Sequence, residues 1–158
     1  MSGYKDAEGN PLHEFRPANS VTYAEIAKMA AEAVGLSPLP GSSMNTSDDD
    51  QWSEGYVALM ESREVSVFQN HALDVNTPAP RGAVVQILLE MFDVTLSTSS
   101  NPYSDVPSSS PFASAILQAT HDGIVAGDDG ATTFRPADSI NRAETAKMVR
   151  KVMEVYEN

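Results

Sequence analysis

A mostly α-helical chain is predicted by three observations. Apolar residues recur at helical spacing and alternate over no long stretch, which disfavours a strand-rich fold. Helix-start signatures, a capping residue followed three positions later by Glu, stand at Thr22 with Glu25 and at Asn141 with Glu144, where the two side chains satisfy each other's backbone N–H groups. The passage from loop into helix over Phe134 to Met148, FRPADSINRAETAKM, is echoed elsewhere in the chain, and such self-similarity implies stacked helical units.

Taken in order, Met1 to Phe15 is polar and turn-rich, with Asp6, Gly9, Asn10 and Pro11 close together, and reads as loop. A helix follows the Thr22 cap, carrying Ile26, Met29, Ala30, Ala33 and Val34, and Gly35 before Leu36 is its stop. Leu36 to Gln51 holds Pro38, Pro40, Gly41 and Asp48 to Asp50 and reads as a long exposed connection. Trp52, Tyr56, Leu59 and Met60 then mark a short amphipathic helix. Trp52 is expected in the core, with sugar stacking as the alternative. At Thr77-Pro78-Ala79-Pro80 a proline occupies the capping position, so the cap is expected to move back to Thr77, placing Arg81 deeper in the helix. Val84, Val85, Ile87, Leu88, Leu89, Met91 and Phe92 cover more than one face, which predicts the most buried helix of the set. Asp93 to Pro111 reads as a second connection, and Phe112, Ala115, Ile116 and Ala119 as a helix that Gly123 stops. Gly127, Asp128, Asp129 and Gly130 form an acidic turn before Phe134, and Met148, Val149, Val152, Met153 and Tyr156 line the last helix.

A chain of 158 residues is long enough for one sizeable core. With 22 acidic against 10 basic residues and a net charge of −12, a nucleic-acid backbone or an anionic membrane is a poor partner. No cysteine is present, which excludes disulfides and thiolate chemistry. The longest apolar stretch, around Val84 to Phe92, is interrupted by Gln86 and Glu90 and is too short for membrane insertion. Met1 to Tyr4 lack the features of a secretory signal. Neither acidic turn has the alternating ligands of a calcium loop, His13, His71 and His121 lack metal spacing, and no serine lies in a nucleophile motif. No catalytic residue, metal or cofactor is therefore assigned.

Aligned against itself, the chain places Arg142 on Arg81 and on Tyr23, at spacings of 61 and 58 residues. Phe15-Arg-Pro-Ala18 through Tyr23-Ala-Glu-Ile26 to Met29 follows the anchor passage nearly residue for residue; Leu73 to Ile87 is a worn copy. Upstream of the third copy stand Tyr103-Ser-Asp-Val106 and Gly123-Ile-Val-Ala-Gly127. The ordered set resembles the S-layer homology module, whose repeats read roughly F-x-D-V, an apolar helix, G-I-I-x-G, F-x-P and I-T-R-A-E. On that resemblance residues 1–36 are a partial first repeat, 37–94 a degenerate second and 95–158 the third. Ser2-Gly3 falls on Ala126-Gly127, so the first repeat lacks its first helix, and apolar surface near Ile26 and Ala30 is expected to be left for a second chain or upstream sequence to cover.

The resemblance implies a pseudo-threefold arrangement of helix-loop-helix repeats and a non-catalytic anchoring module at the cell envelope or S-layer. The implied partners are an anionic, for instance pyruvylated, cell-wall polysaccharide and the rest of a longer surface polypeptide, with self-association as a further option. The implied glycan-binding residues are Arg142 and Arg81, with Asn141, Gly127, Asp128 and Trp52 beside them. Arg142, in the first helical turn where a cation is otherwise disfavoured, is expected to face a cleft unneutralised beside free N–H groups and grip a carboxylate, so that Arg142→Ala weakens binding and leaves folding intact. The altered boxes at Tyr23 and Arg81 support the alternative of a degenerate structural or interaction unit in a surface lattice.

Overall fold

A computed structural model describes residues 6–12, 14–97, 100–128 and 132–157. Five α-helices form among them: α1 (Tyr23–Ala33), α2 (Gln51–Ser62), α3 (Arg81–Met91), α4 (Ala113–His121) and α5 (Arg142–Tyr156). Helices α1, α3 and α5 pack on one another, α2 lies on α1, and α4 lies on α3. The central α3 is the most enclosed, with Ala83 to Leu89 all buried, as its all-round apolar pattern requires. No described helix is long and apolar enough to cross a membrane.

The loops before α1, α3 and α5 join in a ring. A helix leaves its first amide N–H groups without partners inside the helix, and here each receives carbonyls from the next loop. Tyr23 and Ala24 donate to Thr77 and Val75 (3.3 and 2.8 Å), Arg81 and Gly82 to Asp138 and Pro136 (2.8 and 2.9 Å), and Arg142 and Ala143 to Asn19 and Pro17 (2.9 and 3.2 Å). Antiparallel bridges Ser20–Asn141, Thr22–Pro78 and Pro80–Ser139 repeat the same relation. Val21, Ala79 and Ile140 lie buried within these loops, and Val21 N–H donates to Ile140 while Ala79 N–H donates to Val21.

Helix ends follow one scheme. After α1, α2, α3 and α4 the chain turns through a left-handed residue, Gly35, Glu64, Asp93 and Gly123. The residue after each turn donates back into the last helical turn, Leu36 to Ala31, Val65 to Met60, Val94 to Leu89 and Ile124 to Ala119, the pattern of a Schellman stop. The two glycine stops are those legible in sequence. Glu64 and Asp93 adopt the same conformation at an expected cost of roughly 1 kcal/mol each.

Three expectations are corrected. Ile26 and Ala30 are fully buried, because α2 covers α1; the helix whose outer residues remain bare is α5, where Ala143 and Arg150 are exposed. Pro80, not Thr77, is the cap of α3, and Arg81 is its first residue, because the carbonyls of Asp138 and Pro136 satisfy the first two amides and no side-chain cap is needed to set the register. Trp52 is 53% exposed; the buried positions of α2 are Ser53, Val57, Leu59 and Met60. The alignment of Ser2-Gly3 and the turn residues Asp129 and Gly130 lie outside the described residues.

Close packing places a glycine where α3 meets α4. A Cβ on Gly82 would lie 2.8 Å from a ring carbon of Phe112. Gly82→Ala therefore sets overpacking of about 1–3 kcal/mol against a helix-propensity gain of about 1 kcal/mol. Urea unfolding is expected to show net destabilisation of about 1 kcal/mol, and in a Phe112→Ala background the same change becomes neutral or stabilising.

Asp50 and Asp122 are among the carboxylates held below their ordinary value of 3.8. Asp50 is lowered chiefly by the Asn76 side-chain hydrogen bond. At Asp122 burial works in the opposite direction, and donors from Gln118 and Tyr156 outweigh it. Both groups bind protons more weakly when folded, so the stability they contribute is present above the unfolded value and is lost as pH falls through the folded one. Asp50→Asn is expected to flatten the fall in stability on acidification below about pH 4, read from urea midpoints across pH.

Candidate functional site

The first residue of α5 faces the third residue of α1, and the first of α3 faces the third of α5. At the first of these junctions Arg142 is buried. Its Nη1 is 2.7 Å from Glu25 Oε1, its Nε donates to the Phe15 carbonyl at 3.0 Å, and the guanidinium lies 5.3 Å from the Phe15 ring centroid. The other oxygen of Glu25 accepts the Thr22 N–H at 3.0 Å, completing its capping box. The expectation of an unneutralised Arg142 is therefore overturned: an internal carboxylate holds it, and the adjacent Arg142 and Ala143 amides are taken by Asn19 and Pro17.

The second junction is looser. Arg81 Nη1 is 4.0 Å from Glu144 Oε1, Nη2 donates to the Ala126 carbonyl at 3.4 Å, and the guanidinium lies 4.7 Å from the Phe134 ring centroid. Its Nε is buried with no hydrogen-bond partner. A buried N–H donor left unmet carries a desolvation cost, although the Arg81 side chain as a whole is 17% exposed. At the third junction the corresponding residues are Tyr23 and Ala83. Tyr23 packs edge-on against Phe68 with centroids 6.3 Å apart, and burial pushes its hydroxyl pKa up.

Around Arg81 the remaining nominated residues divide. Asn141 is occupied as the cap of α5, accepting the Glu144 N–H at 2.8 Å. Gly127 is half-buried next to Ala126. Asp128 is engaged by Arg135 through two short contacts, Nε to Oδ2 at 2.7 Å and Nη2 to Oδ1 at 2.9 Å. That hydrogen bonding holds the Asp128 carboxyl below its ordinary range, with Arg81 adding to the effect. Trp52 lies on α2, which packs chiefly on α1, and is not part of this group.

Sequence reading passed over Arg135 and Asp105. Arg135 has a left-handed backbone, and the Phe134 and Arg135 amides donate to the two oxygens of Asp105 at 2.8 and 2.7 Å. The Asp of the Tyr103-Ser-Asp-Val106 segment thus fixes the loop that carries Phe134 under Arg81. Arg135 was visible as the counterpart of Arg16 in the two F-R-P-A copies; its acid partners, on a separate turn and downstream, were not.

A helical module with loop-presented arginine–carboxylate junctions is the class these features define. Residues 102–146 match the S-layer homology domain. The chain is also similar to an amylopullulanase from Thermoanaerobacterium thermosulfurigenes, 28% identical over 107 residues, which are 67% of this chain and 6% of the relative; the matched stretch is thus a small part of that protein. S-layer homology domains are cell-surface anchoring modules that attach to cell-wall polymers and sit in longer surface proteins.

Arg142 now reads as a stitch between the two ends of the chain. Arg142→Ala leaves Glu25 without its cation, and loss of one partner from a buried pair is costly. The expected outcome is destabilisation of about 3 kcal/mol, seen as a lower urea midpoint at neutral pH; unchanged stability would show that the pair does not bind the segments together.

Proposed function

We propose that this chain is a non-catalytic anchor for an anionic cell-wall polysaccharide, with Arg81 as the residue that takes the ligand's carboxylate. The observation carrying this reading is the Arg81 guanidinium, whose Nε lacks a partner, set against Ala126, Phe134 and Glu144 of the S-layer homology stretch. The three repeated junctions support a pseudo-threefold arrangement of three units, a partial first, a degenerate second and a complete third. Of the two junctions that hold an arginine, the one at Arg81 leaves the guanidinium Nε without a partner. A guanidinium suits a carboxylate such as a pyruvyl ketal because it offers two parallel N–H groups. Gly127 and the Ala126 carbonyl border the position, and exposed Trp52 offers a separate face on which a sugar ring could stack.

A second reading, a structural unit in a surface lattice, is favoured by the closed Arg142–Glu25 pair and the loss of both partners at Tyr23 and Ala83. Self-association belongs to it, and sedimentation would detect it as concentration-dependent mass. The anchoring reading places the protein outside the cell, at the envelope.

Co-sedimentation with purified wall sacculi, before and after removal of the wall polymer, separates the two. Wild type is expected to bind only polymer-bearing sacculi, and Arg81→Ala to lose about 1.5–3 kcal/mol of affinity at unchanged thermal midpoint. Equal recovery of Arg81→Ala and wild type would exclude Arg81 as the contact.

A further inference from the structure

We infer that Glu144 is a built-in competitor at Arg81, a carboxylate that the ligand's own carboxylate displaces, so that Glu144 sets both the affinity and the charge preference of the site. The inference rests on the anchoring role of Arg81. Its basis is the comparison of three junctions in one molecule.

At the closed junction Glu25 shows where an acid sits when it fully engages the arginine, at 2.7 Å, with Nε satisfied by the Phe15 carbonyl. Glu144 holds the equivalent place on α5 but stands off at 4.0 Å, with its side chain 46% exposed. Arg81 Nε has no counterpart of the Phe15 carbonyl. One junction is therefore filled by its own acid and the other is only guarded by it. At the third junction arginine and glutamate are both absent, replaced by Tyr23 and Ala83, which marks the two residues as a functional pair and not as two independent caps.

Displacement is inexpensive for the fold. Glu144 Oε2 accepts the Asn141 N–H at 3.2 Å, so the carboxylate stays attached to the helix cap while Oε1 leaves Arg81. Asp128 is a weaker candidate for the competitor because Arg135 holds both of its oxygens. A neutral sugar cannot replace the charge of Glu144 on Arg81, whereas a carboxylate can, which gives selection for anionic substituents on an acidic protein.

Glu144→Gln tests this, since Gln also completes a capping box while removing the charge. Isothermal titration with a hexoside bearing a cyclic pyruvate ketal is expected to give about three- to ten-fold tighter binding for Glu144→Gln than for wild type. Glu25→Gln, which acts at the closed junction, is expected to leave that affinity unchanged. Should wild type bind and Glu144→Gln bind equally or more weakly, the competitor role is overturned while the anchoring role of Arg81 stands. Should wild type fail to bind, a gain in Glu144→Gln that Arg81→Ala/Glu144→Gln abolishes supports the competitor, and no binding by either variant overturns both.

Discussion

Six backbone hydrogen bonds, running from the first two amides of α1, α3 and α5 to carbonyls of the following loop, are the constraint on which the rest depends. Amide groups at a helix start must find acceptors or remain in water. Here water is displaced by the neighbouring loop, so each helix can form its buried end only when the next loop is in place. The relation is cyclic: the loop before α1 serves α5, the loop before α5 serves α3, and the loop before α3 serves α1. Contacts between residues near 20 and near 140 are consequently as much part of the fold as those within a helix. Each bond contributes roughly 1 kcal/mol net, and the larger effect is to fix the orientation of the residue that starts each helix. Arg142, Arg81 and Tyr23 stand where they do because their own amides are held.

That placement governs the electrostatics. The chain is strongly acidic, yet Arg16, Arg81, Arg135 and Arg142 all belong to the joined loops or the helix starts they serve. They make no broad positive surface, because Glu14, Glu144, Asp128, Asp138 and Glu25 lie against them. Under the proposed anchoring role, long-range attraction would contribute little to ligand selection, and exchange of one carboxylate for another would be the workable route. A polyanion such as nucleic acid meets a net repulsive field, while a single carboxylate on a neutral sugar needs only one local exchange.

How much of this was legible varies with the range of the interaction. Both capping boxes were readable because Thr22 and Glu25, or Asn141 and Glu144, are three residues apart and complete their bonds locally. The glycine stops at Gly35 and Gly123 were readable for the same reason, while Glu64 and Asp93 were not, since there the Val65 and Val94 amides bond back to Met60 and Leu89 around a residue type that does not favour the left-handed turn. Self-alignment put Arg142, Arg81 and Tyr23 in register, and each is the first residue of its helix. What self-alignment does not reveal is which residue each faces. Glu25 and Arg142 are 117 positions apart, and the same glutamate was read as a cap because one of its oxygens is a cap. Pro80 misled for the complementary reason: proline forbids a side-chain cap, but the carbonyls that replace it come from Pro136 and Asp138.

The difference between the closed and the guarded arginine follows from helix packing, not from the arginines themselves. Glu25 stands on α1, which α2 overlies, and its side chain is 22% exposed; Glu144 stands at the start of α5, a helix that meets the end of α4 at its later turns through Lys151 and Tyr156, and is 46% exposed. The positions that are Ala24 and Ala31 on α1 and Gly82 and Leu89 on α3 are buried, while their counterparts Ala143 and Arg150 on α5 are exposed. An acid beside solvent retains most of its hydration and gains little from closing on a cation, whereas an acid shielded from water is driven to its partner because nothing else compensates its desolvation. The same Arg–Glu pairing is therefore a stitch where the acid is shielded and a looser contact where it is exposed, and the proposed binding junction is the looser one.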